Sequence, residues 1–229
     1  MSKTVLFAGA SSAIAKQTAL LLQAKGYRVI GLSTKNASEG YDAFYKIENY
    51  DAAVYPSIEE VIDGLVYFAG TINLKPFTRL TQEDFLNDFK INTLGATAFV
   101  QAYLGNLKKS KNGSVVFLSS VAVSVGLPFH ASIAMAKGGL EGLSRALAAE
   151  LAPGIRVNCI APSLVNTPLG NKFINTPEKL EQMQNRNPLR KVGNPLDVAN
   201  AISFLVGEEA TWVSGQVFAI DGGMSVLKN

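Results

Sequence analysis

Short apolar runs alternate with longer amphipathic stretches along this chain. The apolar runs have the length of β-strands and carry few charges, which is typical of strands covered on both faces. They lie at Thr4–Ala8, Arg28–Leu32, Gly64–Ala69, Ser114–Ser119, Ile155–Ile160 and Gln216–Ile220. Apolar residues at helical spacing lie between them, at Ile14–Lys25, Thr81–Gly105, Ser132–Leu151 and Pro195–Val206. This alternation predicts an α/β fold in a single domain over residues 1–229: a Rossmann-type doubly wound parallel sheet in three α/β/α layers.

Two stretches depart from that alternation. About a dozen residues separate Ser33 from a possible strand at Ala43–Ile47, and a crossover helix needs about that many by itself. The second β–α–β unit is therefore expected to have a very short helix or none. Pro162–Asn194 is irregular and rich in proline and polar residues, which fits a mobile flap or a polar surface loop.

Composition narrows the classes of function. Hydrophobic residues make up 48% of the 229 residues and charged residues 17%, as expected of a compact globular protein. The net charge is only +3 and the longest basic run is Lys108–Lys109, so nucleic acid is not expected as a partner. One cysteine, Cys159, and one histidine cannot form a zinc-like cluster, so no metal is expected. With no signal-peptide pattern and no membrane-spanning run, we expect a cytoplasmic protein without a membrane partner.

The first apolar run leads directly into a loop of small residues. Gly9, Ser11, Ser12, Ala13 and Ile14 follow the strand and open a helix. Small residues let a backbone approach a pyrophosphate, and a helix N-terminus offers it free N–H groups and a positive dipole end. Only Gly9 is glycine here, so this motif alone fits either a dinucleotide site or an ordinary β–α turn.

Four further segments, taken with this loop, resemble the short-chain dehydrogenase/reductase family over essentially the whole chain. They are Phe68-Ala69-Gly70, the strand and serine pair ending at Ser119-Ser120, Arg156–Pro162 followed by Thr167-Pro168, and Gly215–Gly223. The resemblance implies a cofactor site of the loop residues together with Ala69, Gly70, Lys137, Pro162, Val165 and Thr167. It also implies a homodimer or homotetramer built through Thr81–Gly105 and Ser132–Leu151.

The family's catalytic set of Asn, Ser, Tyr and Lys is matched in three positions. Asn92, Ser120 and Lys137 fall into register, but the Tyr position, four before Lys137, is Ile133. In the family, Tyr is the acid/base, Lys lowers its pKa and grips the nicotinamide ribose, Ser polarises the carbonyl and Asn holds a water. Isoleucine can neither donate nor accept a proton.

Three interpretations of that departure stay open. His130, seven residues before Lys137 on the same helix face, is a competent acid/base and takes the place of the phenol. Alternatively, Tyr67, Tyr103 or a water supplies the proton. In the third, the chain binds the cofactor as a sensor or inactive subunit.

The end of the second strand bears on the choice of cofactor. An acid there binds the adenosine ribose of NAD and repels a 2′-phosphate, but this chain has Ser33, Thr34 and Lys35. Hydroxyls and an ammonium suit a phosphate, which favours NADP over NAD. We therefore expect NADPH-dependent reduction of a carbonyl or an activated double bond in a small organic substrate.

Overall fold

The strands assemble into one parallel sheet within residues 2–51 and 55–228, the part of the chain that this computed structural model describes. They are β1 (Thr4–Ala8), β2 (Arg28–Ser33), β3 (Ala43–Lys46), β4 (Gly64–Tyr67), β5 (Gly113–Leu118), β6 (Ile155–Pro162) and β7 (Val217–Ile220). Their spatial order is β3-β2-β1-β4-β5-β6-β7. The winding reverses between β1 and β4, which is the point where open α/β sheets bind ligands.

Helices cover both faces of the sheet. They are α1 (Ala13–Ala24), α2 (Gln82–Phe89), α3 (Gly95–Leu107), α4 (Ala131–Leu151), α5 (Pro177–Asn185) and α6 (Pro195–Val206). Short 3-10 turns lie at Phe77–Arg79, Val121–Val123, Asn171–Phe173 and Glu208–Ala210. Helices α1 and α6 pack together on one face, and α3 and α4 lie on the other. The three-layer, doubly wound prediction is confirmed.

The core is divided by the sheet into two apolar layers. Along β1, Val5 and Phe7 face the layer under α1 and α6, whereas Leu6 and Ala8 face the layer under α3 and α4. Alternate side chains of a strand point to opposite faces, so a strand covered on both sides must be apolar throughout. This explains why the inner strands read as continuous apolar runs.

Two expectations about elements need correction. The single helix expected at Thr81–Gly105 is α2 and α3 joined by a π-helical turn at Lys90–Leu94. The stretch Pro162–Asn194 is not irregular throughout, because Thr176 accepts a hydrogen bond from the Lys179 N–H and starts α5 with Pro177 in its first turn. Residues 34–42, between β2 and β3, hold no helix, as expected. Among the described helices, none combines the length and apolar character needed to cross a bilayer.

Candidate active site

A cleft of about 540 Å³ opens at the carboxyl ends of the strands. Its walls come from the segments that follow β1, β2, β4, β5 and β6, together with the stretch that carries α5. None of the described residues that line it is acidic, whereas three are basic: Lys35, Lys137 and Arg186. This imbalance of charge favours an anionic ligand.

The loop after β1 forms one end of the cleft. Gly9 has φ +83°, and a Cβ there would clash with the Ala69 nitrogen and lie 2.8 Å from the Phe68 carbonyl carbon, so only glycine fits. Ser12 begins α1 without a side-chain cap, and the first turn holds no acidic residue. Ser11, Ser12, Ala13 and Ile14 line the cleft. The uncompensated helix N-terminus therefore fits a phosphate group, and this end suits a dinucleotide.

Of the three residues at the end of β2, one is buried and two line the cleft. Ser33 is buried, and its hydroxyl donates to Ser11 Oγ at 3.0 Å and accepts from the Lys35 N–H at 3.2 Å. Thr34 and Lys35 line the cleft, as does Tyr50, which the sequence did not single out. Burial raises the pKa of the Tyr50 phenol, which lies within reach of Ser33 and Thr34. Ser33 therefore shapes this corner from behind the surface.

Ser120, His130 and Ile133 line the opposite end of the cleft. Ser120 Oγ accepts a hydrogen bond from the Ala122 N–H at 3.2 Å, which leaves its own O–H free to donate to a ligand. His130 is the residue before α4, and its Nδ1 lies 2.7 Å from the Pro128 carbonyl oxygen. Because a carbonyl only accepts, Nδ1 carries the hydrogen and Nε2 is the nitrogen left to exchange a proton.

Lys137 lies deeper in the same wall and is 6% exposed. Its Nζ donates to the Leu118 carbonyl oxygen at 2.6 Å. Burial lowers the pKa of this ammonium to about 8, opposed by attraction to Cys159 and Asp88. A partly desolvated amine that titrates near neutral pH is typical of functional sites.

Asn92 lies behind the cleft surface, in the π-helical turn. Its Nδ2 donates to the Asp88 carbonyl oxygen at 2.8 Å and to Thr71 Oγ1 at 2.9 Å. The turn interrupts the regular ladder of backbone hydrogen bonds, and the Asn92 side chain satisfies the carbonyl four residues earlier. Asn92 is thus the one residue of the expected catalytic set that does not line the cleft.

Tyr67 and Tyr103, two of the alternative proton sources, are wrong on geometry. Both are buried in the apolar layer under α3 and α4, and neither lines the cleft. The Tyr67 hydroxyl donates to the Ile91 carbonyl at 2.6 Å and that of Tyr103 to the Pro56 carbonyl at 2.9 Å. Burial raises the pKa of both phenols well above the usual range.

Similar proteins show which family the chain belongs to. The family model described as Enoyl-(Acyl carrier protein) reductase matches residues 46–225. The 3-oxoacyl-(acyl-carrier-protein) reductase FabG of Thermotoga maritima is 35% identical over 246 aligned positions, which cover 98% of each chain. The chain belongs to the short-chain dehydrogenase/reductase family. The yeast peroxisomal 2,4-dienoyl-CoA reductase SPS19 is 32% identical over 80% of this chain and 66% of that protein.

Solved structures agree with this membership of the short-chain dehydrogenase/reductase family. The aldohexose dehydrogenase of Thermoplasma acidophilum superposes with a TM-score of 0.92 at 23% identity, covering 99% of this chain and 95% of that one, which shows the shared fold. The structure of ElxO with NADP bound superposes with a TM-score of 0.87 at 27% identity, covering 98% of this chain and 99% of that one. The chain is therefore an oxidoreductase of this family by sequence and by fold.

The cofactor-binding residues expected from the family pattern meet at the cleft, with Ser33 behind its surface. Ala69 and Gly70 after β4 and Pro162, Val165 and Thr167 after β6 all line it. The residues around the far end were missed by the sequence analysis because they come from separate segments with no shared motif. They are Thr71, Ile72, Leu74, Phe173, Met183, Arg186 and Met224.

Proposed function

We propose that this chain is an NADP(H)-dependent oxidoreductase that reduces a carbonyl or an activated double bond of a small organic molecule. The observation that carries the proposal is the single cleft, which joins the glycine loop at one end to Ser120, His130 and Lys137 at the other. Similarity to a ketoacyl reductase and a dienoyl-CoA reductase supports reduction as the reaction class. The similar ElxO structure with NADP bound supports the cofactor.

In this proposal the loop from Gly9 to Ile14 holds the pyrophosphate of the dinucleotide. Thr34, Lys35 and Tyr50 bind the adenosine ribose and its 2′-phosphate, while Lys137 binds the nicotinamide ribose. The nicotinamide would be held by residues that line the same cleft, and it would supply a hydride; these residues are Ala69, Gly70, Pro162, Val165 and Thr167. The absence of a carboxylate from the described residues that line the cleft supports the phosphorylated cofactor.

Cofactor preference is tested by calorimetric titration with NADPH and NADH. We expect NADPH to bind more tightly, and Lys35→Ala to weaken NADPH by about tenfold while NADH changes little, because one charged phosphate contact is lost. Lys111→Ala, which removes an exposed lysine far from the cleft, is the control. Equal affinity for the two cofactors would contradict the preference for NADP that we infer from Ser33, Thr34 and Lys35.

We propose that Ile133 occupies the position of the family's Tyr and that His130 replaces it as the acid. Ile133 is 4% exposed in the cleft wall and cannot move a proton. His130 lies one helical turn earlier, and its bond to the Pro128 carbonyl holds the ring with Nε2 as the exchanging nitrogen. Ser120 then donates its O–H to the carbonyl oxygen that gains charge.

This assignment predicts that His130→Ala lowers turnover by about 10²–10⁴ and leaves NADPH affinity nearly intact. Ile133→Tyr is the companion variant, since a restored phenol beside Ser120 and Lys137 is expected to create or raise ketone reductase activity. Both are assayed with ketones, quinones and enoyl thioesters. Turnover that survives His130→Ala would show that His130 is not the acid. Tight NADPH binding without any turnover in the natural chain favours a sensor or inactive subunit instead.

A further inference from the structure

Three basic side chains line the cleft, and the proposed function leaves one of them without a role. Lys35 and Lys137 bind the cofactor in that proposal, whereas Arg186 is assigned nothing. Arg186 is exposed and lies where α5 ends. No carboxylate among the described residues forms an ion pair with it. Its guanidinium is therefore hydrated and available to an anion that enters the cleft.

The surface beside Arg186 is apolar. Met183 precedes it by three residues, so the two side chains share one face of the helix end, and both line the cleft. Phe173 also lines the cleft, from the 3-10 turn that packs against α5. Other apolar side chains of the lining come from the segments after β4, β6 and β7: Ile72, Leu74, Leu164 and Met224. One cation beside an apolar surface suits a ligand with an apolar body and one anionic end.

The segment that carries Arg186 is fastened to the rest of the molecule on both sides. Before α5, Lys172 Nζ donates to the Ile72 carbonyl oxygen at 3.2 Å, which joins this segment to the wall after β4. After α5, the Asn187 side chain is 3% exposed and its Nδ2 donates to the Lys191 carbonyl oxygen at 2.7 Å. Arg186 therefore extends from a backbone that is already ordered, which lowers the entropic cost of binding through it.

The charge of Arg186 favours a carboxylate over a phosphate ester. The planar guanidinium donates two parallel hydrogen bonds to the two oxygens of a carboxylate, and one positive charge balances one negative charge. A phosphate monoester carries a charge close to −2 at neutral pH. Once Lys35 and Lys137 bind the cofactor, the described lining offers no second cation to balance it.

We propose that Arg186 selects an organic acid as the substrate. The carboxylate of this acid binds the Arg186 guanidinium, its apolar chain lies against Met183 and Phe173, and its carbonyl or activated double bond lies at Ser120. The proposal rests on the proposed function for the reduction. Binding of the carboxylate is a property of the cleft, however, and is measured without turnover.

Binding is tested by calorimetry on the NADPH-loaded protein and on the cofactor-free protein. The ligands are the straight-chain acids from butanoate to decanoate and their neutral amides, none of which has a ketone or an activated double bond. We expect the acids to bind more tightly than the amides. Arg186→Gln is expected to weaken the acids by about tenfold, and Arg186→Lys to weaken them less, because the charge stays but the paired hydrogen bonds are lost.

The matched control for binding is Lys179→Gln. Lys179 is an exposed cation on the same helix and does not line the cleft, so its loss is expected to leave the affinity for the acids unchanged. No binding of any acid, equal affinity for acids and amides, or unchanged affinity in Arg186→Gln would overturn the proposal. Tighter, Arg186-dependent binding of the alkyl phosphate of equal chain length would overturn the choice of a carboxylate.

The substrate class is tested by turnover of straight-chain oxo acids and of their methyl esters with NADPH. We expect the natural protein to prefer the acids. In Arg186→Gln the KM for the acids is expected to rise by about tenfold while kcat changes less, and the esters, which lack the charge, are expected to be affected less. A preference for the esters would overturn the proposal. Arg186-dependent binding of acids without reduction of any carbonyl compound would contradict the proposed function and leave the carboxylate site standing.

Discussion

Gly70 shows how the absence of a side chain positions this site. A Cβ at this residue would lie 2.8 Å from Asn92 Oδ1 and 3.3 Å from Lys137 Nζ, both closer than ordinary contacts. The glycine thus allows a buried amide and a buried ammonium to approach the backbone that lines the cleft. Sequence reasoning placed Gly70 in the cofactor site but could not give this reason, because the two neighbours are distant in the chain.

Gly70→Ala is therefore expected to displace Asn92 or Lys137 and to weaken NADPH binding, measured by calorimetry, while the far-ultraviolet circular dichroism stays native. The matched control is Gly142→Ala in α4, where a Cβ would meet nothing within 4 Å. An interior helix glycine costs roughly 0.5–1 kcal/mol relative to alanine, so this control is expected to raise the free energy of unfolding by that amount. Unchanged NADPH affinity in Gly70→Ala would contradict the steric argument.

Lys137 makes stability depend on pH. Burial lowers its pKa from 10.5 to about 8 in the folded protein, so the folded state binds this proton more weakly than the unfolded chain. The free-energy cost of burying the charged ammonium is fully present below about pH 8, where both states are charged. It fades as the pH rises towards 10.5, above which both states are neutral.

Replacing Lys137 by Met removes that cost. In urea denaturation of the cofactor-free protein, the stability of Lys137→Met relative to the natural chain is expected to be greater at neutral than at strongly alkaline pH. The difference is roughly 3 kcal/mol, since each pKa unit corresponds to about 1.4 kcal/mol. A stability difference that stays constant with pH would show that Lys137 is not charged and buried as described.

At the scale of elements, local periodicity predicted the sheet well. The run Thr4–Ala8 and the helix Pro195–Val206 have the expected bounds, and the other strands shift only at their ends. The break at Lys90–Leu94 was missed because its sequence keeps a helical pattern and contains neither Pro nor Gly. The structure shows the break in the backbone, and there the Asn92 side chain donates to the Asp88 carbonyl oxygen, a contact that a pattern of apolar positions does not report.

The site was predictable where it follows strand ends and unpredictable where it joins separate elements. Ser120, Lys137 and Thr167 could be placed because each belongs to a contiguous motif. Tyr50 and Thr71 belong to none, and their positions at the cleft follow from the packing of β3 and β4 around it. Tertiary contacts between distant segments, rather than local propensity, bring those two side chains there.

At the scale of the whole molecule, one face carries exposed apolar side chains that the monomer does not cover. Leu86 on α2, Leu94 in the π-helical turn and Met135 on α4 are 64%, 52% and 50% exposed. Helix α2 packs against α4, so these residues belong to neighbouring elements on one side of the sheet. We propose that this face forms the homodimer or homotetramer interface expected from the family resemblance.

The double variant Leu86→Glu with Met135→Glu is expected to shift the assembly towards monomer, as measured by sedimentation velocity. In a two-fold symmetric interface each substituted residue occurs twice, so four new carboxylates would be buried near one another without partners. Leu20→Glu on α1, which is 55% exposed in the layer opposite α4, is the control and is expected to leave the assembly intact. A natural chain that sediments as a monomer, or an assembly broken only by Leu20→Glu, would place the contact elsewhere.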